Sequence, residues 1–192
     1  MDLQLIAFTP MDVERIEPWF DDPDTQRFLG GRDWIRRAPS LLELPIGDEY
    51  RGKVVTGRRM WLSLEENGEP VAFVDGETYN RYAAWDGSDP DHPVVSDVVE
   101  VPSMGLVVVV DPARRRRGFG ASTIQALIAH PDVAHIRLFF GEVEIENVAS
   151  IRCIEKAGFR ARSTEPDFEG MLRFSLSSSG PTRGVVPERV TG

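Results

Sequence analysis

Apolar residues recur along the chain with two different periods, and each period predicts a different type of element. Residues 5–8 (LIAF) form a short apolar run that is typical of a strand. Residues 9–20 open with Thr-Pro, a pair favoured where a helix begins, and then place apolar side chains at helical spacing. Residues 21–55 are interrupted by several Pro and Gly residues, which predicts short helical pieces rather than one long element.

The middle of the chain carries the strongest strand pattern. Residues 60–79 (MWLSLEENGEPVAFVDGETY) contain two apolar runs around Asn67-Gly68, a pair that favours a tight hairpin turn. Residues 80–100 are predicted as a long loop that is rich in acidic and aromatic residues. Residues 104–110 (MGLVVVV) form a continuous apolar run, as expected for a strand that is covered on both faces.

The C-terminal half alternates helices and strands. A helix over residues 118–130 is followed by a strand over residues 136–143 (IRLFFGEV). A second helix covers residues 147–158, and the glycine at its end is suited to a left-handed cap. Residues 159–176 are predicted as a closing hairpin.

These elements indicate an α/β protein with one domain over residues 1–176. Residues 177–192 (SSSGPTRGVVPERVTG) have little to pack and are predicted to form a flexible tail. The chain has 192 residues, of which 41% are hydrophobic, so it is long enough to bury a real core.

Composition and charge argue against several classes of function. The formal net charge of −9 argues against nucleic acid as a partner and favours neutral or cationic small molecules. There is no charged-then-apolar leader and no run of about 18 apolar residues, so no membrane association is expected and the cytoplasm is the default location. The single cysteine excludes an internal disulfide, and the three scattered histidines lack metal-ligand spacing, so no metal is expected. A homodimer is left open.

The most unusual stretch is a run of four arginines, Arg114–Arg117, in an otherwise acidic protein. It follows the end of the apolar strand at Asp111-Pro112 and precedes Gly118-Phe119-Gly120 and a helical pattern. A helix N-terminus presents free N–H groups and a partial positive charge, and glycines let a phosphate approach those amides. A solvated basic turn is the alternative for the arginines alone. The whole arrangement favours a phosphate cradle, without the spacing of a Walker A loop or a dinucleotide fingerprint.

At these residues the chain resembles the GCN5-related N-acetyltransferases, a family that transfers acetyl from acetyl-CoA to amines. The family's phosphate loop, Arg/Gln-x-x-Gly-x-Gly/Ala, matches Arg115–Gly120 and follows a strand that ends in Val110-Asp111-Pro112. A second family motif begins with Asn-x-x-Ala/Ser and ends with Gly-Phe, and it matches Asn147–Ser150 and Gly158-Phe159. The resemblance covers roughly residues 1–176.

The resemblance implies a single-domain α/β fold with a mixed central sheet of six to seven strands flanked by helices. Two splayed central strands would form the cleft for acetyl-CoA, the co-substrate. Backbone groups of one strand would pair with the pantetheine arm as if it were an added strand. The residues implied in acetyl-CoA binding are Val108, Val109, Val110, Arg115, Arg116, Arg117, Gly118, Phe119, Gly120, Ala121, Asn147, Ser150 and Arg152.

Two of these positions also have a plain structural interpretation. Asn147 would donate a hydrogen bond to the pantetheine arm, and it would serve equally well as the N-cap of its helix. Arg152, one turn inside that helix, would reach a phosphate or remain on the surface.

The chain departs from the family pattern at the groups that move protons. Ile154 stands where many members have a tyrosine that is credited with protonating the leaving thiolate, and isoleucine has no proton to donate. The strand position that often carries an acidic base falls within residues 101–107 (VPSMGLV), which contain no acid. Cys153 has no histidine nearby in the sequence, so we expect a buried helix residue and direct transfer rather than an acetyl-cysteine.

Attack on a thioester needs a neutral amine, so a nearby group must accept its proton. The candidates for this catalytic role are Glu100, Glu142 and Glu144, and weaker ones are Asp75 and Glu77 on the hairpin strand. Glu142 and Glu144 have the same strand parity and are expected to face one way. We expect Glu100→Gln to lower kcat more than Glu142→Gln or Glu144→Gln does, because Glu100 enters the neighbouring strand.

Three functions agree with the resemblance. The first is acetyl-CoA-dependent transfer of acetyl to a primary amine of a small cationic substrate, aminoglycoside-like or polyamine-like, by direct attack in a ternary complex. Residues 147–159 (NVASIRCIEKAGF) are similar to the bacterial aminoglycoside branch, and residues 79–100 combine acids with aromatic rings that suit a cation carrying sugar rings. The second is acetylation of a protein or peptide amine. The third is a CoA-binding module that has lost catalysis.

Overall fold

The computed structural model describes residues 3–86 and 94–178. In these residues the strands are β1 (Gln4–Ala7), β2 (Glu49–Tyr50), β3 (Lys53–Leu64), β4 (Pro70–Tyr79), β5 (Tyr82–Asp86), β6 (Val94–Val99), β7 (Ser103–Val110), β8 (Leu138–Glu144), β9 (Arg160–Ala161) and β10 (Met171–Ser177). The α-helices are α1 (Val13–Ile16), α2 (Pro23–Leu29), α3 (Arg32–Leu41), α4 (Phe119–Ile128) and α5 (Val148–Lys156). Short 3-10 turns occupy Pro10–Asp12, Glu17–Asp21, Pro112–Arg114 and Pro131–Val133.

One large mixed sheet organises the fold. Its strands lie in the order β1-β3-β4-β7-β8-β10-β9, and β2 pairs with β3 outside this path. The pair β7–β8 is parallel, and the other pairs are antiparallel. The α/β class and the central mixed sheet flanked by helices are therefore confirmed.

The sheet opens at its centre, between β7 and β8. These strands pair over three residues, Ser103–Gly105 with Leu138–Phe140, and then part although both continue. A Cβ atom on Gly105 would lie 2.9 Å from Cζ of Phe140, so only glycine leaves room for that ring. The outer neighbours keep their registers, because β4 follows β7 to Val110 and β10 follows β8 to Glu144. The result is a V-shaped gap whose two edges are held rigidly from outside.

Helices cover both faces of the sheet. On the face that we call the phosphate face, α4 and α5 pack over a core that includes Trp61, Val74, Met104, Phe139 and Ile154. On the opposite face, which we call the acceptor face, α1 and α3 pack over a second core that includes Phe20, Ile35, Leu62, Phe73 and Val109. Neighbours such as Phe73 and Val74 enter different cores because strand side chains alternate.

Residues 80–100 differ from the prediction of a long loop. They contain the hairpin of β5 and β6, which forms a separate two-stranded sheet. Tyr82 and Ala84 are buried and pack with Leu138 and Phe140, so tertiary contacts stabilise a strand whose five residues gave little sequence signal. Asp89 and Asp91 of the predicted acidic loop lie outside the described residues, as does most of the predicted tail.

The described residues contain neither a metal-binding cluster nor a membrane-spanning helix. No group of three or more His, Cys, Asp or Glu side chains in residues 3–86 and 94–178 is arranged to hold a metal ion. No helix in the same ranges is long and apolar enough to cross a membrane.

Candidate active site

A cleft of about 940 Å³ occupies the gap between β7 and β8. Its size is at the upper end of the range for small-molecule sites. Its walls bring together most of the residues that the sequence implicated in acetyl-CoA binding: Val108, Val109, Val110, Arg115, Arg116, Gly118, Phe119, Gly120, Ala121, Asn147, Ser150 and Arg152. Arg117 is the one member of that set outside the walls.

One end of the cleft is formed by the N-terminus of α4. Arg116 has φ 63° and Gly118 has φ 93°, so the chain makes two left-handed steps before the helix begins at Phe119. Glycine adopts this conformation without strain, which explains Gly118. The turn directs the first free N–H groups of a ten-residue helix toward the cleft, which is the arrangement of an anion site.

Gly120 has a packing role that the sequence did not indicate. We expected its missing Cβ to let a phosphate reach the amides. In the structure a Cβ at this position would lie 2.6 Å from Sγ of Cys153 and 3.2 Å from Cγ2 of Val110. Gly120 therefore allows α4 to pack closely against α5 and β7, and the phosphate site depends on it through this packing.

The four arginines do not share one partner. Arg114 forms an ion pair with Glu65, and the Arg117 guanidinium lies over the ring of Phe119, 5.3 Å from its centroid. Arg116 lines the cleft. Arg114 and Arg117 therefore make contacts within the protein, whereas Arg116 faces the cleft and is available to a phosphate.

Arg115 connects the phosphate turn to α2. Its guanidinium lies 2.7 Å from Asp22 and donates a hydrogen bond of 2.6 Å to the Thr25 hydroxyl. Asp22 is also the N-cap of α2, since its carboxylate accepts from the backbone N–H of Thr25. Arg115 therefore lines the cleft and fixes the start of α2 at the same time.

Helix α2 lies over the cleft and contacts both of its sides, which the sequence did not predict. Phe28 and Leu29 form part of the cleft wall. Arg27 forms an exposed ion pair with Glu146, in the turn between β8 and α5. With the Arg115 contacts at its other end, α2 is tied to both sides of the gap.

Helix α5 forms the opposite wall, and Asn147 caps it. The Asn147 side-chain oxygen accepts a hydrogen bond of 3.1 Å from the Ser150 N–H, and the residue also lines the cleft. Lys156, which the sequence analysis missed, lines the cleft beside the phosphate turn, because its Nζ lies 3.7 Å from where a Gly118 Cβ would be. Its spacing of four residues from Arg152 on one helix face was the available signal.

Two α5 side chains at the cleft are poorly suited to move protons. Ile154 is buried and packs against Gly141, where an added Cβ would lie 2.9 Å from Cδ1 of Ile154. Burial raises the pKa of the Cys153 thiol above its ordinary value, with a smaller opposing effect from Lys156. A thiol with a raised pKa is a weak nucleophile at neutral pH.

Cys153→Ala is expected to leave acetyl transfer within a few-fold of the wild-type rate. The protonated thiol forms no covalent acetyl-enzyme, and alanine leaves the Gly120 packing free of strain. Steady-state rates and intact-protein mass spectrometry after exposure to acetyl-CoA would measure this. A trapped acetyl group on Cys153, or lost turnover with binding intact, would contradict direct transfer.

Carboxylates from both sides of the gap share the acceptor face. Asp75 and Glu77 alternate with Val74 and so lie on the face of Phe73. Glu77 is in register with Gly105, and Gly105 with Phe140. Partnered residues share a face of a sheet, so Phe140 belongs to this face as well.

Glu142 and Glu144 follow Phe140 at intervals of two residues, so they also point to the acceptor face. Both line the cleft, and Glu142 lines a second, smaller cavity as well. The expectation that these two acids face one way is confirmed by their position in a regular strand paired with β10.

Asp75 has the properties of a general base. Burial, and then the nearby Glu77 charge, raise its pKa from an ordinary 3.8 to about 6. Glu77 is engaged by Arg58 at 2.6 Å and accepts a hydrogen bond from the Tyr79 hydroxyl. Asp75 has no such ion pair within 4 Å in the described residues. It is on the wall of neither cavity, but it is in register with Val107, a cleft-wall residue just past the point where β7 leaves β8.

Glu100 lies elsewhere. Its side chain is 70% exposed and pairs with Arg81 at 2.8 Å, and it is on the wall of neither cavity. The sequence placed it beside the reacting groups because the segment before β7 was taken as a loop. That segment is a hairpin which carries Glu100 to the outside, so the position argues against a role as base.

A fold with a parted pair of central strands, a helix N-terminus at one end of the gap and acids on the opposite face defines an acyl-transfer enzyme that binds a long phosphorylated donor. The sequence model of the Acetyltransferase (GNAT) family matches residues 14–159. The chain belongs to the GNAT family of N-acetyltransferases.

Relatives and solved structures agree with this family. An uncharacterized N-acetyltransferase, YfmK, of Bacillus subtilis (strain 168) is 33% identical over 165 residues, covering 86% of this chain and 90% of that protein. The aminoglycoside acetyltransferase AAC(6')-Ib in complex with coenzyme A has a TM-score of 0.66 at 18% identity, over 93% of this chain and 96% of that one. A chimera of the Vibrio cholerae spermidine N-acetyltransferase SpeG with hSSAT has a TM-score of 0.60 at 13% identity, over 92% of this chain and 96% of that one.

Proposed function

We propose that this enzyme transfers acetyl from acetyl-CoA to a primary amine of a small substrate, by direct attack in a ternary complex. The observation that carries the proposal is the gap between β7 and β8, which joins the glycine turn at α4 to the acids of the acceptor face. A donor bound in this gap would present its thioester where the two strands part, within reach of an amine from the other face.

The donor arm is proposed to bind as an added strand. Beyond Gly105 the edge of β7 faces the gap, and its backbone groups can pair with the amide groups of pantetheine. The pyrophosphate would bind to the N–H groups at the start of α4, with Arg116 and Lys156 supplying positive charge.

The acceptor is proposed to be cationic at its reacting amine, as an aminoglycoside-like or polyamine-like compound is. Glu142 and Glu144 on the cleft wall provide negative potential on the acceptor face, and Asp75 lies on the same face of the sheet on β4. Structural neighbours are named for aminoglycoside and spermidine acetylation, which supports testing these classes first. Cytoplasmic location and the absence of nucleic-acid and membrane partners stay predictions.

Asp75 is proposed to accept the proton that the ammonium must lose, directly or through a water. The neutral amine nitrogen then attacks the thioester carbonyl carbon, the new N–C bond forms as the C–S bond breaks, and CoA leaves as a thiolate. Ile154 supplies no proton to that thiolate. The attacking nitrogen becomes positively charged as the N–C bond forms and loses one proton to give the neutral amide, so the thiolate takes its proton from that nitrogen or from solvent.

Two other functions fit less well. Acetylation of a protein amine needs an open path to the thioester. Helix α2 lies over the cleft and is tied to both of its sides through Arg27 and Arg115, which argues against such a path. A CoA-binding module without catalysis was suggested by Ile154 and by the lack of an acid in residues 101–107. Asp75 on the neighbouring strand supplies a candidate base, so the lack of an acid in residues 101–107 no longer argues against catalysis. Only Ile154 still does.

Thiol release from acetyl-CoA across a panel of aminoglycosides, polyamines, amino acids and peptides should identify at least one small amine that is acetylated faster than any peptide. We expect this result because the cleft has room for the donor and because α2, which lies over the cleft, restricts the approach of a peptide. Mass spectrometry of the product would confirm an added acetyl group on nitrogen. Tight acetyl-CoA binding without turnover on any amine would favour the CoA-binding module, and a preference for peptides would favour the protein acetyltransferase.

A further inference from the structure

A second cavity of about 90 Å³ adjoins the cleft on the acceptor face. It lies among the start of β3, the hairpin strand β5 and β10, and Tyr79 and Phe140 are in its wall. Glu142 lines both this cavity and the cleft, so the two spaces meet at its carboxylate. It has about a tenth of the volume of the cleft, which suits a compact polar group of the acceptor.

Lys53 forms the inner wall of the small cavity and is 5% exposed. Its Nζ lies 4.8 Å from the Tyr79 ring centroid and 5.0 Å from that of Phe140, and it donates one long hydrogen bond of 3.3 Å to the Ala83 carbonyl. In the described residues no carboxylate lies within 4 Å of it. Burial lowers the pKa of Lys53. The charges of Glu142 and Glu77 partly oppose this shift, but neither carboxylate contacts the Lys53 ammonium, so the buried ammonium is suited to receive an anion.

The other charges of the cavity wall are mostly satisfied by each other. Arg51 forms a bidentate pair with Glu169, with hydrogen bonds of 2.8 and 2.9 Å. Arg173 donates a hydrogen bond of 2.8 Å to Asp167. These two pairs cancel in net charge, which leaves Lys53 on one side of the cavity and Glu142 on the other.

Arg173 contributes a second donor. Its Nε is buried and has no hydrogen-bond partner in the part of the chain that the structure describes. An unpaired buried N–H costs free energy that a ligand oxygen would recover. Arg173 is in register with Glu142 on the neighbouring strand, so this donor and the shared carboxylate are adjacent.

We propose that the small cavity binds an anionic group of the acceptor, of carboxylate size, and that the acceptor is therefore a zwitterion. This inference rests on the proposed acetyl transfer to a small amine, and it replaces the aminoglycoside-like or polyamine-like acceptor with an amino-acid-like one. The ammonium lies at Glu142, where the cavity meets the cleft and the thioester, and the anion lies against Lys53 and the Arg173 Nε. An amino-acid-like acceptor satisfies both charges, whereas a polyamine or aminoglycoside leaves Lys53 uncompensated.

Matched acceptor pairs test this. Each pair consists of an α-amino acid and the amine that its decarboxylation gives, for example phenylalanine with phenethylamine and lysine with cadaverine, and 2-aminoethylphosphonate distinguishes phosphonate from carboxylate. We expect kcat/KM to be at least tenfold higher for the acid-bearing member in a majority of pairs. Lys53→Met and Lys53→Gln should bring that ratio close to one.

Arg59→Gln provides a matched loss of one positive charge, because Arg59 pairs with Asp132 on an exposed part of the surface, outside both cavities. It should keep the wild-type ratio. Thermal unfolding of each variant checks folding, and removal of the buried Lys53 charge should not lower Tm. Calorimetric titration of the CoA-bound enzyme with each pair member reads binding without turnover.

Equal kcat/KM values and equal affinities within pairs would overturn the zwitterion inference while acetyl transfer itself stands. A ratio that survives both Lys53 variants would overturn it as well. If no amine is acetylated, the proposed function fails, and selective calorimetric binding of acid-bearing members, lost in Lys53→Met, would still support the anion site.

Discussion

Gly120→Asp is expected to weaken acetyl-CoA binding by at least 100-fold. An aspartate Cβ would start 2.6 Å from Sγ of Cys153, so α4 must move away from α5, and its carboxylate would repel the pyrophosphate at the helix N-terminus. Calorimetric titration with acetyl-CoA measures the loss. Circular dichroism and thermal unfolding check that the fold survives.

Two further variants separate packing from charge. Gly120→Ala should weaken binding less than Gly120→Asp does, because it adds the close contact without the carboxylate. Combining it with Cys153→Ala removes the sulfur and should recover part of the affinity, since the Val110 contact at 3.2 Å remains. Wild-type affinity in Gly120→Asp would show that the donor binds elsewhere.

Asp75→Asn is expected to lower kcat by about 100-fold, within the usual range for loss of a general base, and to raise Tm. The pKa of Asp75 is raised from 3.8 to about 6. Between about pH 4 and pH 6 the folded protein therefore holds a proton on Asp75 that the unfolded chain has released. The ionised carboxylate therefore destabilises the fold fully above about pH 6, and this cost disappears as pH falls toward 4. Asparagine removes a cost of about 1–3 kcal/mol at neutral pH.

The pH dependence and a control variant make this result specific. The wild-type kcat should fall below about pH 6, and the residual activity of Asp75→Asn should lack that step. The stability gain of the variant should shrink between about pH 6 and pH 4. Glu100→Gln, outside both cavities, should keep kcat close to wild type. Wild-type turnover in Asp75→Asn would exclude it as the base.

Local sequence signals predicted the backbone features around the proposed donor site. The glycine turn before α4, the Asn147 cap and the β3–β4 hairpin each depend on a few neighbouring residues, and all three are confirmed. Helix starts and tight turns are specified by short-range hydrogen bonding and by backbone conformations that few residue types adopt. The family motifs are located on these same local features.

The acceptor side could not be predicted in the same way. Asp75 becomes a candidate base because β4 pairs with β7 in a register that aligns it with Val107, and register is a contact between distant parts of the chain. Lys53 is buried against the rings of Tyr79 and Phe140, which come from two other strands and cannot be paired with it from the sequence. Glu100 was misplaced for the same reason, since the β5–β6 hairpin depends on tertiary packing.

Binding of the donor in the gap between β7 and β8 is expected to stabilise the fold. Three residue pairs join the block of β1, β3, β4 and β7 to the block of β8, β10 and β9. Beyond these pairs the two blocks are connected by the α4–α5 contact and by α2, which is tied to Arg115 and Glu146. A pantetheine arm bound in the gap as proposed would bridge the blocks along their parted edges. Because it would bind only when both blocks are in place, its binding free energy would add to the stability of the fold. The enzyme is thus expected to be least rigid between turnovers, when products leave and the next donor enters.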